Sequence, residues 1–133
     1  MALEKMDTSP TCYVVLDVET NGLKSKEDDL LSISILKPDD GKTYNRFLPL
    51  ELNSAVYTTD INGITKADLK GKQPLTQTEV DSLFTDFELD QRTILHYGAL
   101  DYRFVRDYFA RHSLSGFDRL HFFNFKRLIC STK

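Results

Sequence analysis

Residues 13–23 read Tyr13-Val14-Val15-Leu16-Asp17-Val18-Glu19-Thr20-Asn21-Gly22-Leu23. Tyr13 to Leu16 is a short apolar run rich in β-branched residues, which reads as a buried strand. The strand gives way to Asp17-Val18-Glu19-Thr20-Asn21-Gly22, where Asn-Gly marks a turn and Gly22 permits a tight backbone. Side chains alternate along a strand, so Asp17 and Glu19, two apart, point to the same face. Two neighbouring anions at an apolar strand end repel each other, and a cation between them relieves the cost. Oxygen ligands without sulfur or paired histidines favour Mg²⁺ or Mn²⁺. The bland alternative is that both carboxylates face water at a strand tip. Spacing alone does not decide between the two.

Working outward, Leu31, Ile33 and Ile35 alternate with Ser32 and Ser34, which predicts a second strand over 30–36 with the three apolar residues on one side. Pro38-Asp39-Asp40-Gly41 is a turn, and 42–50 is its hairpin partner. The period then changes. Thr65 is a candidate N-cap for a short helix. Thr76-Gln77-Thr78-Glu79 reads as a capping box, with Leu75 and Val80 placed as a hydrophobic staple. Val80, Leu83, Phe84 and Phe87 follow at helical spacing. Thr93 to His96 reads as a strand. Leu100, Phe104, Val105, Tyr108 and Phe109 form the apolar stripe of another helix, and Arg103, Arg106, Asp107 and Arg111 its wet face. Gly116 ends that helical region. Leu120 to Phe125 is apolar enough for a fifth strand. The order β-β-β-α-β-α-β predicts an α/β domain with a mixed five-stranded sheet. Few residues follow the last strand, so one sheet face is expected to lack a covering helix.

The bulk numbers fit one domain: 133 residues, 41% of them hydrophobic and 28% charged. The net charge of -3 argues against binding nucleic acid mainly through a basic surface. It leaves room for a site whose positive charge comes from bound metal. Cys12 and Cys130 form no zinc pattern. Residues 1–11 read as a frayed leader without the apolar core of a signal peptide. No stretch approaches a membrane span, so a cytoplasmic protein is expected. Lys66, Lys70 and Lys72 form a small basic cluster, which reads more readily as solvated surface than as a phosphate track.

The string from Val14 to Leu23 resembles the first motif of the DEDD superfamily of 3′→5′ exonucleases, D-x-E-T-x-G-L after an apolar strand. That superfamily includes the proofreading subunit of bacterial DNA polymerase III, ribonuclease T and oligoribonuclease. His96-Tyr97-Gly98-Ala99-Leu100-Asp101, with Phe104, resembles its second motif, H-N-A-x-F-D-x-x-F-L. Tyr97 and Gly98 replace the usual Asn and Ala, and Val105 the usual Leu. The His96–Asp101 spacing also suits the third motif, H-x-A-x-x-D, but a following apolar strand favours the second. Asp60-Ile61-Asn62-Gly63-Ile64-Thr65 is similar to the H-G-I-T segment between the motifs. Phe122 to Leu128 is similar to D-T-L-x-L-A-R, with Asn124 where Asp is usual.

The resemblance implies a ribonuclease H-like fold. It implies two Mg²⁺ or Mn²⁺ ions held by Asp17, Glu19, Asp101 and a fourth acid, and release of nucleoside 5′-monophosphates from single-stranded or frayed 3′ ends of DNA or RNA. It implies that Thr20 and Gly22 lie against the terminal nucleotide and that His96 orients substrate or a carboxylate. Aromatic side chains would stack on bases, with Phe47, Tyr57, Tyr97 and Tyr102 as candidates, although each reads more readily as core or loop packing. No third motif, with its fourth acid and general base, is found after Cys130. The chain is therefore expected to be a C-terminally incomplete exonuclease domain. The alternative is an inactive exonuclease-like module that binds nucleic acid or a polymerase partner without cleavage. An uncovered sheet face would also favour a homodimer.

Overall fold

The computed structural model describes residues 11–125. The leader expected at 1–11 and the stretch matched at 126–128 lie, except for residue 11, outside those residues. Five strands form one sheet in the order β3-β2-β1-β4-β5. They are β1 (Tyr13–Thr20), β2 (Leu30–Lys37), β3 (Lys42–Phe47), β4 (Thr93–His96) and β5 (His121–Asn124). β1 pairs antiparallel with β2, and β2 with β3. β1 pairs parallel with β4, and β4 with β5. The central strand thus joins an antiparallel half to a parallel half. Open sheets of this kind bind ligands at the strand ends beside such a switch.

Two short helices, α1 (Thr59–Asn62) and α2 (Lys66–Leu69), sit on the long connection from β3 to α3 (Gln77–Phe87). A fourth helix, α4 (Leu100–Arg111), links β4 to β5 by way of a 3₁₀ turn at Phe117–Arg119. The main core brings Val14, Leu16, Val18, Ile33, Ile35 and Ile94 of the sheet against the apolar stripes of α3 and α4. The stripes are those read from the helical spacing, but Asp107, expected on the wet face of α4, is buried and accepts from the Ser25 hydroxyl. Leu75 and Val80, the staple pair, are both in this core.

Three expectations are corrected in detail. β1 continues through Glu19 to Thr20, so the two carboxylates stand within the strand, not past its tip. Leu31 does not share a core with Ile33 and Ile35. It enters a smaller cluster with Ile64 and Leu69, while Leu30 takes a place in the main core. A register shift opposite Glu19 and Thr20 breaks the simple alternation at that point. The capping box at Thr76 is only half made. Thr76 accepts from the Glu79 amide at 3.2 Å, but the Glu79 carboxylate turns to Arg46 Nε at 2.8 Å and the Tyr44 hydroxyl at 2.6 Å. The complete box is at α2. There Thr65 Oγ1 accepts from the Asp68 amide at 3.3 Å, and the Asp68 carboxylate accepts from the Thr65 amide at 2.9 Å.

The sheet face opposite the helices carries Tyr13, Val15, Ser32, Ser34, Leu95 and Phe123 half-buried and Leu36 exposed. Among the described residues, none of these side chains belongs to either buried core cluster.

Candidate active site

The site grows from the strand switch. Asp17 is exposed and Glu19 half-buried on β1, on the face opposite buried Leu16 and Val18. β4 runs parallel to β1, with Val15 opposite Leu95, and ends at His96. The chain leaves β4 there, turns at Gly98 and enters α4. Asp101, in the first turn of α4, is 5% exposed. Its Oδ1 accepts from the Val18 amide at 3.2 Å. A carboxylate is favoured at a helix N-terminus, and this bond pins it to the strand segment between Asp17 and Glu19.

The three acids sense one another. Burial raises the Asp17 carboxyl above the usual carboxylate range, and the Asp101 charge adds to it. Burial likewise raises Glu19, followed by repulsion from Asp17 and Asp101. Among the described residues, no three His, Cys, Asp or Glu side chains converge tightly enough to enclose a metal ion. The three acids are therefore electrostatic neighbours rather than a closed cage. Their chemistry, all carboxylate oxygen and mutually repelling, suits a hard divalent cation.

His96 is buried at 3% exposed. Its Nδ1 lies 2.8 Å from the Gly98 carbonyl oxygen, which can only accept, so Nδ1 carries the hydrogen in this bond. Asp101 Oδ2 is 3.6 Å from the same nitrogen, and Phe122 packs edge-on against the ring. The imidazole thus faces the turn and Asp101, not solvent. Gly98 has φ +94, a backbone that disfavours the Ala usual in the motif. The Gly98 amide donates to Asn124 Oδ1 at 2.9 Å. Asn124, where the resemblance calls for Asp, therefore serves as an acceptor for the turn.

The Thr20–Leu23 turn is closed internally. The Thr20 hydroxyl donates to the Gly22 carbonyl at 2.7 Å, and the Thr20 carbonyl accepts from Thr58 Oγ1 at 3.1 Å and Asn62 Nδ2 at 3.4 Å. Gly22 is required for a reason other than the turn: a Cβ there would lie 2.2 Å from Asp28 Oδ2. α1 is thus tied to the end of β1, and Asn62 does this from the place of the family's His.

Sequence reasoning missed the polar network beneath the turn. Asn21, 2% exposed, donates to Asn53 Oδ1 at 2.9 Å and the Ala55 carbonyl at 2.8 Å, and accepts from the Tyr57 amide at 2.7 Å. Asp29, 1% exposed, accepts from the amides of Glu51, Leu52 and Asn53 at 2.8–3.1 Å. An Asn followed by Gly reads as a turn, and an Asp before a strand as a solvated cap, so neither signalled burial. Also missed was a set of exposed apolar side chains on the segments meeting here: Leu23 at 76%, Ile61 at 85%. Of the aromatic candidates, Tyr57 and Tyr97 are exposed at 62% and 56%. Phe47 and Tyr102 are exposed at 37% and 39%, while Tyr97 also packs on Phe125 and Tyr102 on Phe117 and Phe122.

Known proteins share the sequence and the fold in part. The chain is 33% identical over 112 residues to PolC-type DNA polymerase III of Streptococcus pyogenes serotype M18, covering 82% of this chain and 8% of the relative. The serotype M5 protein matches with the same identity and coverage. In structure, the chain is similar to E. coli exonuclease I in complex with a dT13 oligonucleotide, with a TM-score of 0.72 at 15% identity, over 90% of this chain and 29% of that one. The zinc-bound form of the E. coli exonuclease I complex with single-stranded DNA gives 0.70 at 16% identity, over 90% and 29%. The chain is similar to PolC-type DNA polymerase III over 82% of its length, and its fold is that of exonuclease I. No family model matches it. The chain spans only 8% of the length of the polymerases it matches, and its mixed five-stranded sheet is the one the order of elements predicted.

Proposed function

We propose that the chain is a metal-dependent 3′→5′ exonuclease domain that releases nucleoside 5′-monophosphates from single-stranded or frayed ends. One observation carries the reading: Asp17 and Glu19 share a face of the switch strand, and Asp101 is bonded to the amide between them. Asp17, Glu19 and Asp101 would hold the ions. Bound Mg²⁺ or Mn²⁺ supplies the Lewis acidity that activates water and stabilises the departing 3′ oxygen. His96 acts from below as a positioning residue, fixing the Gly98 turn and, through it, Asp101. Thr20 and Gly22 shape the turn that presents Leu23. With Ile61, Tyr57 and Tyr97, that turn offers apolar surface to the terminal bases. The fourth acid and the general base implied by the resemblance are not identified among the described residues.

Chromatography of a digested single-stranded DNA oligonucleotide tests this. The reading expects Mn²⁺-dependent mononucleotides carrying 5′-phosphates, absent with EDTA. Products carrying 3′-phosphates, or fragments cut internally, would contradict it. A second reading is binding without cleavage, since no fourth acid or general base is identified among the described residues. It expects oligonucleotide binding with no mononucleotide release.

A further inference from the structure

We propose that a lysine-rimmed pocket beside the candidate site is a docking subsite for the phosphate backbone of the single strand whose 3′ end is processed; this rests on the nuclease reading above. The pocket has a volume of about 580 Å³ and is formed by α2, the residues after it, and Pro49 and Leu50. Lys66, Lys70 and Lys72 line it together. They are adjacent in sequence, but sequence did not show that they surround one concavity.

Their charge is uncommitted. Lys24, Lys26, Lys37, Arg46, Arg92 and Arg106 each pair with a carboxylate. Among the described residues, none of the three pocket lysines does. Asp68, on the same helix, turns its carboxylate to the Thr65 amide and hydroxyl at 2.9 and 3.1 Å. On a chain of net charge -3, three unpaired cations around one hollow create a local field opposite to that of the whole. The apolar floor of Pro49, Leu50 and Leu69 suits sugar and base edges, while the lysines suit phosphate.

The pocket is also tied to the end of β1 through the 53–57 segment. Lys66 Nζ donates to the Ser54 carbonyl at 3.4 Å. Asn53, one residue earlier, bonds to Asn21, and Tyr57, three residues later, donates its amide to Asn21.

The test compares wild type with the Lys66→Gln, Lys70→Gln, Lys72→Gln triple variant. Binding of a labelled single-stranded 12-mer is measured by anisotropy in EDTA over a range of NaCl. Each lost phosphate contact on a single strand removes about 0.7 from the slope of log K against log salt. The proposal expects a slope smaller by about 2 and affinity at least about tenfold weaker in low salt. Lys42→Gln, on β3, is the control and expects little change. An unchanged slope in the triple variant, with mononucleotide release intact, overturns the subsite and leaves the nuclease reading standing. Such a result would shift the pocket to a protein partner. Failure of wild type to bind or cut any oligonucleotide overturns both.

Discussion

Asp17 illustrates how a candidate metal ligand opposes folding. Its carboxyl is raised by burial and by Asp101, so the ionised form is disfavoured in the folded chain. Asp17→Asn is therefore expected to raise the melting temperature of the metal-free protein at neutral pH. The gain is under about 1 kcal/mol, because water screens an exposed charge. The same change should abolish stabilisation by Mn²⁺. A lower melting temperature for the variant, or equal stabilisation by Mn²⁺, would contradict the account. Gly22 is a steric matter. Gly22→Ala drives a methyl into the Asp28 carboxylate, which is held by the Lys24 amide and Asn53 Nδ2. A loss of about 1–3 kcal/mol is expected. Asp28→Ala in the same chain should recover much of it, a coupling that denaturant titrations of the four-member cycle would measure.

At the scale of elements, periodicity made most of the fold legible. Both long helices carry the stripes that their apolar spacing marked, and β4 has the predicted bounds. What was illegible depended on partners distant in sequence. Glu79 belongs to a capping-box pattern, yet Arg46 and Tyr44, on β3, claim its carboxylate. Leu31 alternates correctly, yet a register shift sends it to another cluster. In the candidate site, the motif acids could be read, but the support under them could not. Asn21, Asp29 and Asn53 become a network only once the 51–57 segment folds over the turn. Asp29 gathers three backbone amides in a buried place. Asp29→Ala would leave them without a partner and is expected to cost about 2–4 kcal/mol. Oligonucleotide binding should weaken in step, since the same segment holds Asn21. A loss below about 0.5 kcal/mol in chemical denaturation would show that water replaces the carboxylate without penalty.

For the whole molecule, the carboxylates divide into two groups with opposite effects on pH stability. Arg106 holds Asp107 below the usual range, helped by Ser25, and Arg46 does the same for Glu79. Their contribution is complete above the ordinary carboxylate range and is lost as pH falls through their lowered values. Asp17 and Glu19 are raised. The folded chain holds their protons more tightly than the unfolded chain, so their contribution grows as pH falls from neutral through those raised values. Metal-free protein should therefore be most stable on the mildly acid side of neutrality, and Mn²⁺ should move that maximum upward. Melting temperatures across pH, with and without Mn²⁺, check this; a maximum that Mn²⁺ leaves in place would count against a shared ion. The central claim is that the switch-strand acids cut from a 3′ end. The most direct measurement is digestion of a 5′-labelled single-stranded oligonucleotide with Mn²⁺ by wild type and Asp17→Ala. A ladder shortening one nucleotide at a time from the 3′ end, lost in the variant, is the predicted result. A ladder that persists in Asp17→Ala would contradict the assignment of the site, and an intact oligonucleotide with wild type would contradict cleavage by this chain.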